Sequence, residues 1–280
     1  MKPLARRHKV PLALLSEMAA PSFSVEINGA QVPVKCHPSA PGLDLARCTE
    51  AKIFKEWVES VGREITVKEV LVSAVDYFGS RVGFLKIEAD AWFHGVRIPG
   101  ICFLRGGAVS ILVVLHCEGE DYIILTRQPR VPVGRSGLLE LPAGMLDDSG
   151  NFAGVAAKEL REETGIVLKP EELTDLSAYA LEIVSATQAS VLKEQPPSCG
   201  VYMSGGGCDE FMRMMSVERT VARAELDAMR GRATGVMEEG EVIVLDIVPY
   251  NMAWRVCSDA KLLSSMFLYE RKKRDDAQLV

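Results

Sequence analysis

The chain has 280 residues, 48% of them hydrophobic and 25% charged, with a formal net charge of −6. That length allows one large domain or two moderate ones, and the composition is that of an ordinary globular protein. The negative charge argues against a general nucleic-acid or anionic-membrane surface, and no run of about eighteen apolar residues exists to span a bilayer.

Seven cysteines are present with no C-x-x-C pair. An odd number without that spacing fits neither a zinc ribbon nor a disulfide framework, so reduced thiols in an intracellular compartment are expected. Residues 1–44 read as a leader, partly irregular. Its front is basic (Lys2, Arg6, Arg7, Lys9), and Glu17 interrupts the short apolar run Val10–Leu15. A secretory signal fits poorly. A plain disordered leader of a cytoplasmic protein is expected, with an organelle-targeting segment, for mitochondrion or plastid, as the alternative. Pro33, Pro38, Pro41 and Gly42 are expected to keep residues 28–43 irregular.

Residues 45–104 read as a β-rich N-terminal subdomain, serving either packing or dimer formation. Thr49–Val61 predicts a short amphipathic helix capped by Thr49, with Ile53, Trp57 and Val61 on one face. Strands are expected at Ile65–Tyr77 and Val82–Phe93, turning at Gly79-Ser80, with a third at Val96–Leu104.

Residues 105–280 read as the second domain. Ala108–His116 is apolar throughout, as a buried central strand requires. His116 on that strand predicts a satisfied core histidine. Tyr122–Arg127 predicts the next strand, followed by a basic loop from Arg127 to Arg135. Leu176–Val184 reads as a strand, Ser185–Cys199 as a polar excursion, and Ser204–Glu210 as a tight glycine-rich turn lacking the GK[ST] ending of a phosphate-binding loop. Strands are expected at Phe211–Val221 and Val242–Pro249, and helices at Ala222–Arg230 and Ser258–Arg274.

The chemistry concentrates in residues 144–166. Asn151 or Ser149 can cap a helix there, Ala153, Ala156 and Ala157 favour it, and Gly165 stands where a left-handed cap belongs. Glu159, Glu162 and Glu163 share one side of it. Like charges at that spacing cost a few tenths of a kcal/mol per pair, about 0.2–0.5. Their place in the last turns costs roughly 0.3–1 kcal/mol each against the helix dipole. A divalent cation would reverse both penalties, and carboxylate oxygens suit Mg²⁺ or Mn²⁺. The charge spacing alone also fits a solvated acidic face with Lys158 and Arg161 as counter-ions.

Gly144, Glu159, Leu160, Glu162, Glu163, Gly165 and Ile166 stand at the spacing of the Nudix box, so this stretch resembles the Nudix hydrolases. Two positions depart: Gly150 replaces the first glutamate, and Lys158 replaces an arginine whose bidentate fork orients a glutamate. Flanking segments from about Ile53 to Glu270 resemble the plant ADP-sugar diphosphatase branch. They include Arg105-Gly-Gly-Ala-Val-Ser-Ile, Gln128-Pro-Arg-Val-Pro, Leu139-Glu-Leu-Pro-Ala-Gly-Met, Gly206-Gly-Cys-Asp-Glu210, Gly240-Glu-Val-Ile-Val and Asp259-Ala-Lys. The excursion at 185–199 is longer than in that branch.

The resemblance implies an α/β fold, a Nudix α/β/α sandwich with a mixed sheet, and a homodimer. It implies Mg²⁺-dependent hydrolysis of the pyrophosphate bond of a nucleoside diphosphate sugar, such as ADP-ribose or ADP-glucose. Glu159, Glu163 and the Ala143 carbonyl are the implied ligands, and Glu162 a further ligand or an orienter of metal-bound water. Glu241, then Glu239, are the implied general bases, and Arg130, Arg105 and Glu210 the implied substrate contacts. Each of these has a plainer reading as an ion-pair or solvated residue. Two other functions stay open at this point: a weak or inactive Nudix domain serving as nucleotide sensor or scaffold, and a Nudix enzyme acting on UDP-sugars or modified dNTPs. Cap hydrolysis would want a basic RNA-tracking surface, which the net charge does not advertise.

Overall fold

The computed structural model describes residues 23–146, 151–187, 200–236 and 240–278. Its first unit is a six-stranded sheet with two short helices. The elements are β1 (Phe23–Ile27), β2 (Ala30–Cys36), α1 (Leu45–Glu50), α2 (Lys52–Ser60), β3 (Ile65–Phe78), β4 (Arg81–Phe93), β5 (Val96–Ile98) and β6 (Ile101–Leu104). The strand order is β1-β2-β3-β4-β5, with β6 also on β4. Alternating Val32, Val34, Val70, Leu85 and Ile87 bury one face beneath Phe54 of α2.

The second unit runs β7 (Ala108–Cys117), β8 (Glu120–Arg130), β9 (Arg135–Glu140), β10 (Ala143–Met145), α3 (Phe152–Thr164), β11 (Thr174–Asp175), α4 (Leu176–Thr187), β12 (Val201–Tyr202), β13 (Phe211–Thr220), α5 (Arg223–Met229), β14 (Ala233–Thr234), β15 (Ile243–Pro249), α6 (Tyr250–Val256) and α7 (Ala260–Gln278). Its sheet has the order β11-β13-β7-β8-β15-β14. The β7–β13 pairing is parallel and the neighbouring ones are antiparallel, so the sheet is mixed. Side chains alternate along β7. Val109, Ile111, Val113 and Leu115 join Leu160 of α3 and Leu226 of α5 on one face. Leu112 and Val114 join Leu176 of α4, Ala253 of α6 and Leu262 of α7 on the other. Helices on both faces of a mixed sheet make the expected α/β/α sandwich.

One edge of β7 is divided. Its end, Val114–Cys117, bonds β8, whereas its start, Ala108–Ser110, bonds β10. At the division the Ile111 N–H donates to the Pro142 carbonyl at 2.9 Å. Beyond this point β8 pairs with β9 in place of β7, while β15 runs along its other edge. The segment from Glu140 to Ala143 therefore crosses from one strand to another where the sheet parts, and the site forms there.

Several expectations need correction. Residues 28–43 are not wholly irregular, since β2 runs through Pro33. That proline pairs with Ser24 of β1, and pairing with β3 begins only at Val34, so a missing N–H breaks no ladder bond on that side. The helix expected at Thr49–Val61 is two helices parted at Ala51. Asp44, not Thr49, caps the first by accepting from the Arg47 N–H at 3.1 Å. Val96–Leu104 is two strands. At Gly100 a Cβ would lie 2.0 Å from the Ala89 carbonyl oxygen.

Leu176–Val184 is a helix, not a strand. Asp175 caps it by accepting from Ala178 N–H at 2.8 Å, and a buried apolar run does not by itself distinguish the two. The strand β8 and a short 3₁₀ turn occupy much of the expected loop Arg127–Arg135, and α6 was not anticipated. Most of the expected 185–199 excursion lies outside the described residues. Among the described residues the six cysteines are free thiols, and no helix is long and apolar enough to cross a membrane. His116 is satisfied as expected, with Nδ1 2.6 Å from Asp121 and Nε2 2.9 Å from Glu218, but its side chain is 32% exposed rather than in the core.

Candidate active site

The box helix α3 begins and ends as its sequence dictates. Asn151 Oδ1 accepts from the Gly154 N–H at 2.9 Å, and Gly165 closes the helix at φ +73°. Val155, Ala156 and Leu160 face the sheet. That rotation turns Glu159 and Glu163 toward β10.

Glu163 is 4% exposed. Its Oε2 accepts the Ala143 N–H at 3.1 Å. Glu159 reaches the same strand one residue later, where a Cβ on Gly144 would sit 1.9 Å from its carboxyl carbon. The glycine is therefore a steric requirement of the glutamate. The helix end is tied down by Thr234 Oγ1, which donates to the Glu163 carbonyl at 2.5 Å, and by the Arg232 guanidinium, which donates to that of Thr164.

Burial pushes the Glu163 carboxyl up to about 8. The Ala143 N–H opposes the rise, the charges of Glu159 and Glu241 add to it, and Arg130 opposes it. The charges of Glu159, Glu241 and Arg130 thus all act on one buried carboxyl. Glu241 is held by the Val236 N–H, which donates to its Oε2 at 3.2 Å.

Arg130 has a structural partner as well. Its Nε lies 2.6 Å from Glu140, which is also 3.0 Å from Lys261; Lys261 in turn is 3.0 Å from Asp259. Asp259 accepts the Leu141 N–H at 3.1 Å. Burial would raise the Glu140 carboxyl, but Lys261 and Arg130 outweigh it and hold it below its ordinary value. This network braces the crossing segment Glu140–Ala143 from behind. The Asp259-Ala-Lys261 segment was visible as a family motif, but its bracing role was not.

Glu162 lies apart from that arrangement, 3.7 Å from Lys158 and 3.8 Å from Arg161. Arg105 pairs with Glu210 at 3.3 Å, beside Asp209, which accepts the Arg105 backbone N–H at 2.7 Å. That pair stands at the junction of the two units, and neither residue is among the groups that shift Glu163. Gly150 and Glu239 lie outside the described residues.

Among the described residues no three acidic, histidine or cysteine side chains form a complete metal-binding cluster. Two hard carboxylates beside the half-buried strand β10 still fit a Mg²⁺ ion, which takes one or two carboxylates and completes its shell with water and phosphate oxygens. A buried carboxylate also gains most from an adjacent cation.

The NUDIX domain pattern matches residues 104–224. The chain is 36% identical to a protein named Nudix hydrolase 14, chloroplastic, from Arabidopsis thaliana, over 96% of this chain and 88% of that one. It is 31% identical to an ADP-ribose pyrophosphatase of Bacillus subtilis (strain 168), over 46% of this chain and 72% of that one. It is 30% identical to an ADP-sugar pyrophosphatase of Mus musculus, over 44% and 57% respectively. The capped acidic helix, the glycine that admits Glu159 and the likeness to the Arabidopsis protein over most of both chains together establish that this chain is an enzyme of the Nudix hydrolase family.

Proposed function

We propose that the chain hydrolyses the pyrophosphate bond of a nucleoside diphosphate joined to a sugar, of the ADP-ribose or ADP-glucose type, giving AMP and a sugar phosphate. The observation that carries this reading is the buried Glu163 carboxyl, with Glu159 and Glu241 on one side of its charge balance and Arg130 on the other. The pyrophosphate names of the Bacillus and mouse relatives agree with it.

Glu159 and Glu163 would hold Mg²⁺, with Mn²⁺ as a substitute, and the Ala143 carbonyl would be a third ligand. Such an ion neutralises charge on the phosphate oxygens and lowers the pKa of a bound water. Glu241 takes the proton of the attacking water, a role worth about 10²–10⁴-fold; Glu239 is its alternate. Glu162 orients water at the edge of the site. Arg130 binds a phosphate oxygen with the guanidinium N–H groups that Glu140 leaves over. Arg105 and Glu210 contact the remainder of the substrate. The water oxygen ends on one phosphorus, and the bridging oxygen leaves with the other phosphate.

Residues 45–104 would carry the homodimer contact. Val96 and Ile101 in that unit are 65% and 60% exposed, an apolar surface that a second copy would cover. The word chloroplastic in the Arabidopsis name agrees with the organelle alternative drawn from the basic N-terminus.

A panel of ADP-ribose, ADP-glucose, UDP-glucose and modified dNTPs, with and without Mg²⁺, tests the reading. Release of AMP from an ADP-sugar only with Mg²⁺ supports it. Preference for UDP-glucose or a dNTP replaces the substrate, and binding without turnover defeats it.

A further inference from the structure

A helix leaves its last four carbonyls without partners of its own. In α3 the first of these, on Arg161, accepts the Gly165 N–H at 2.9 Å. The other three are taken by one short segment from outside. Gly235 N–H donates to the Glu162 carbonyl at 3.3 Å, Thr234 Oγ1 to that of Glu163 at 2.5 Å, and the Arg232 guanidinium to that of Thr164. The segment is fixed from its other side as well. Leu245 N–H of β15 donates to the Arg232 carbonyl at 3.0 Å, and Thr234 of β14 pairs with Ile243.

Water or a local cap would satisfy a helix end equally well. What sets this segment apart is where it leads. Gly235 has φ +88°, which glycine adopts without strain. A Cβ there would lie 3.1 Å from the Glu241 carbonyl oxygen and 3.2 Å from the Glu241 Cβ. Val236 then exchanges two hydrogen bonds with Glu241. Its N–H donates to Oε2 at 3.2 Å, and its carbonyl accepts the Glu241 N–H at 3.2 Å. A continuous run of bonded and touching groups thus joins the backbone of Glu163 to the carboxylate of Glu241.

We propose that Thr234 and Gly235 are positioning residues that hold the Glu241 carboxylate in register with the acidic face of α3. This rests on the reading of Glu241 as acceptor of the water's proton. Thr234 fastens the segment to the Glu163 backbone, and Gly235 lets the Glu241 main chain lie directly against it. Both act through Glu241. A proton acceptor works within hydrogen-bond reach of the water, about 2.6–3.2 Å, so a small displacement removes it. The carboxylates of α3 depend less on this segment, because Val155, Ala156 and Leu160 seat the helix on the sheet.

The test measures kcat and KM for ADP-ribose and ADP-glucose with Mg²⁺, and Mn²⁺ affinity, in the full chain. Thr234→Val keeps the side-chain shape and loses the hydroxyl; Gly235→Ala sets a Cβ against Glu241. Each is to lower kcat about tenfold or more with KM within about twofold of wild type. Thr234→Ser is to keep the wild-type kcat, and Mn²⁺ affinity is to stay unchanged in all three. In a Glu241→Gln background, Thr234→Val is to cost no further kcat, because the group it positions is already gone. The same cycle with Gly235→Ala decides the matter if Thr234→Val does not fold. A full further loss in the Glu241→Gln background overturns the proposal. So does a fall in Mn²⁺ affinity that parallels kcat, which would make the segment a support of the metal helix. Wild-type kcat in both Thr234→Val and Gly235→Ala, beside a slow Glu241→Gln, overturns the proposal and leaves the base assignment standing. Wild-type turnover in Glu241→Gln, or none in the wild type with either sugar, sinks the underlying reading and the proposal with it.

Discussion

The Glu159 carboxyl occupies the space that any side chain at position 144 would need. A Cβ on Gly144 would lie 1.9 Å from its carboxyl carbon and 2.1 Å from Oε1. Gly144→Ala therefore displaces a proposed metal ligand while leaving the helix sequence untouched. Misplacement of a reacting group by about 1 Å can lower turnover roughly 10²-fold. Steady-state kinetics with ADP-ribose is expected to show a loss of that order, partly restored by raising Mg²⁺.

Glu163→Gln separates charge from packing. Turnover is expected to fall by orders of magnitude, and the rise in Tm that Mg²⁺ gives the wild type is expected to vanish. Saturation at a hundred times Kd stabilises a protein by about 2.7 kcal/mol. In metal-free buffer the sign reverses. The carboxyl is raised from 4.5 to about 8 in the fold, so the folded state holds the proton longer and wild-type stability falls as pH rises between those values. Gln cannot ionise, so at pH 8 without metal the variant should melt no lower than the wild type.

Lys261 is largely buried between Glu140 and Asp259, 3.0 Å from each. Lys261→Ala leaves those carboxylates facing one another with Arg130 as the nearby cation. Breaking a buried ion pair from one side costs about 3–5 kcal/mol. Denaturant melts should show a loss near that range, and KM should rise as Arg130, already paired with Glu140, is left as its sole cation.

His116 provides a pH test remote from the site. The Asp121 hydrogen bond raises its pKa, burial opposes that, and Glu218 adds to the rise. A histidine raised in the fold contributes stability that is complete below its unfolded pKa of 6.5 and is lost as pH rises through the folded value. The Tm gap between wild type and His116→Asn should therefore be largest in mild acid and close as pH is raised. Equal gaps at pH 5.5 and 9 would contradict the assignment.

The box helix was readable because its signals are local. Asn151, Gly165 and the spacing of Glu159 and Glu163 fix caps and face within fifteen residues. The brace of Glu140 by Lys261 spans 121 positions, which no local period can reveal. Leu176–Val184 misled because a helix buried on one face looks as apolar as a strand; the cap at Asp175 was the signal to use. The leader strands were hidden by Pro33, whose harm to a sheet depends on which edge is paired. Arg130 at the end of β8 and Glu241 in the turn before β15 both act on the charge of Glu163, a property of the fold rather than of any segment.

Equilibrium Mn²⁺ binding, followed by loss of the free-ion paramagnetic signal, tests the central claim most directly. Wild-type protein is expected to bind the ion saturably, and Glu159→Gln/Glu163→Gln to lose that binding while keeping its fold by circular dichroism. Unchanged Mn²⁺ affinity in the double variant would contradict the assignment of these two carboxylates as the seat of the ion.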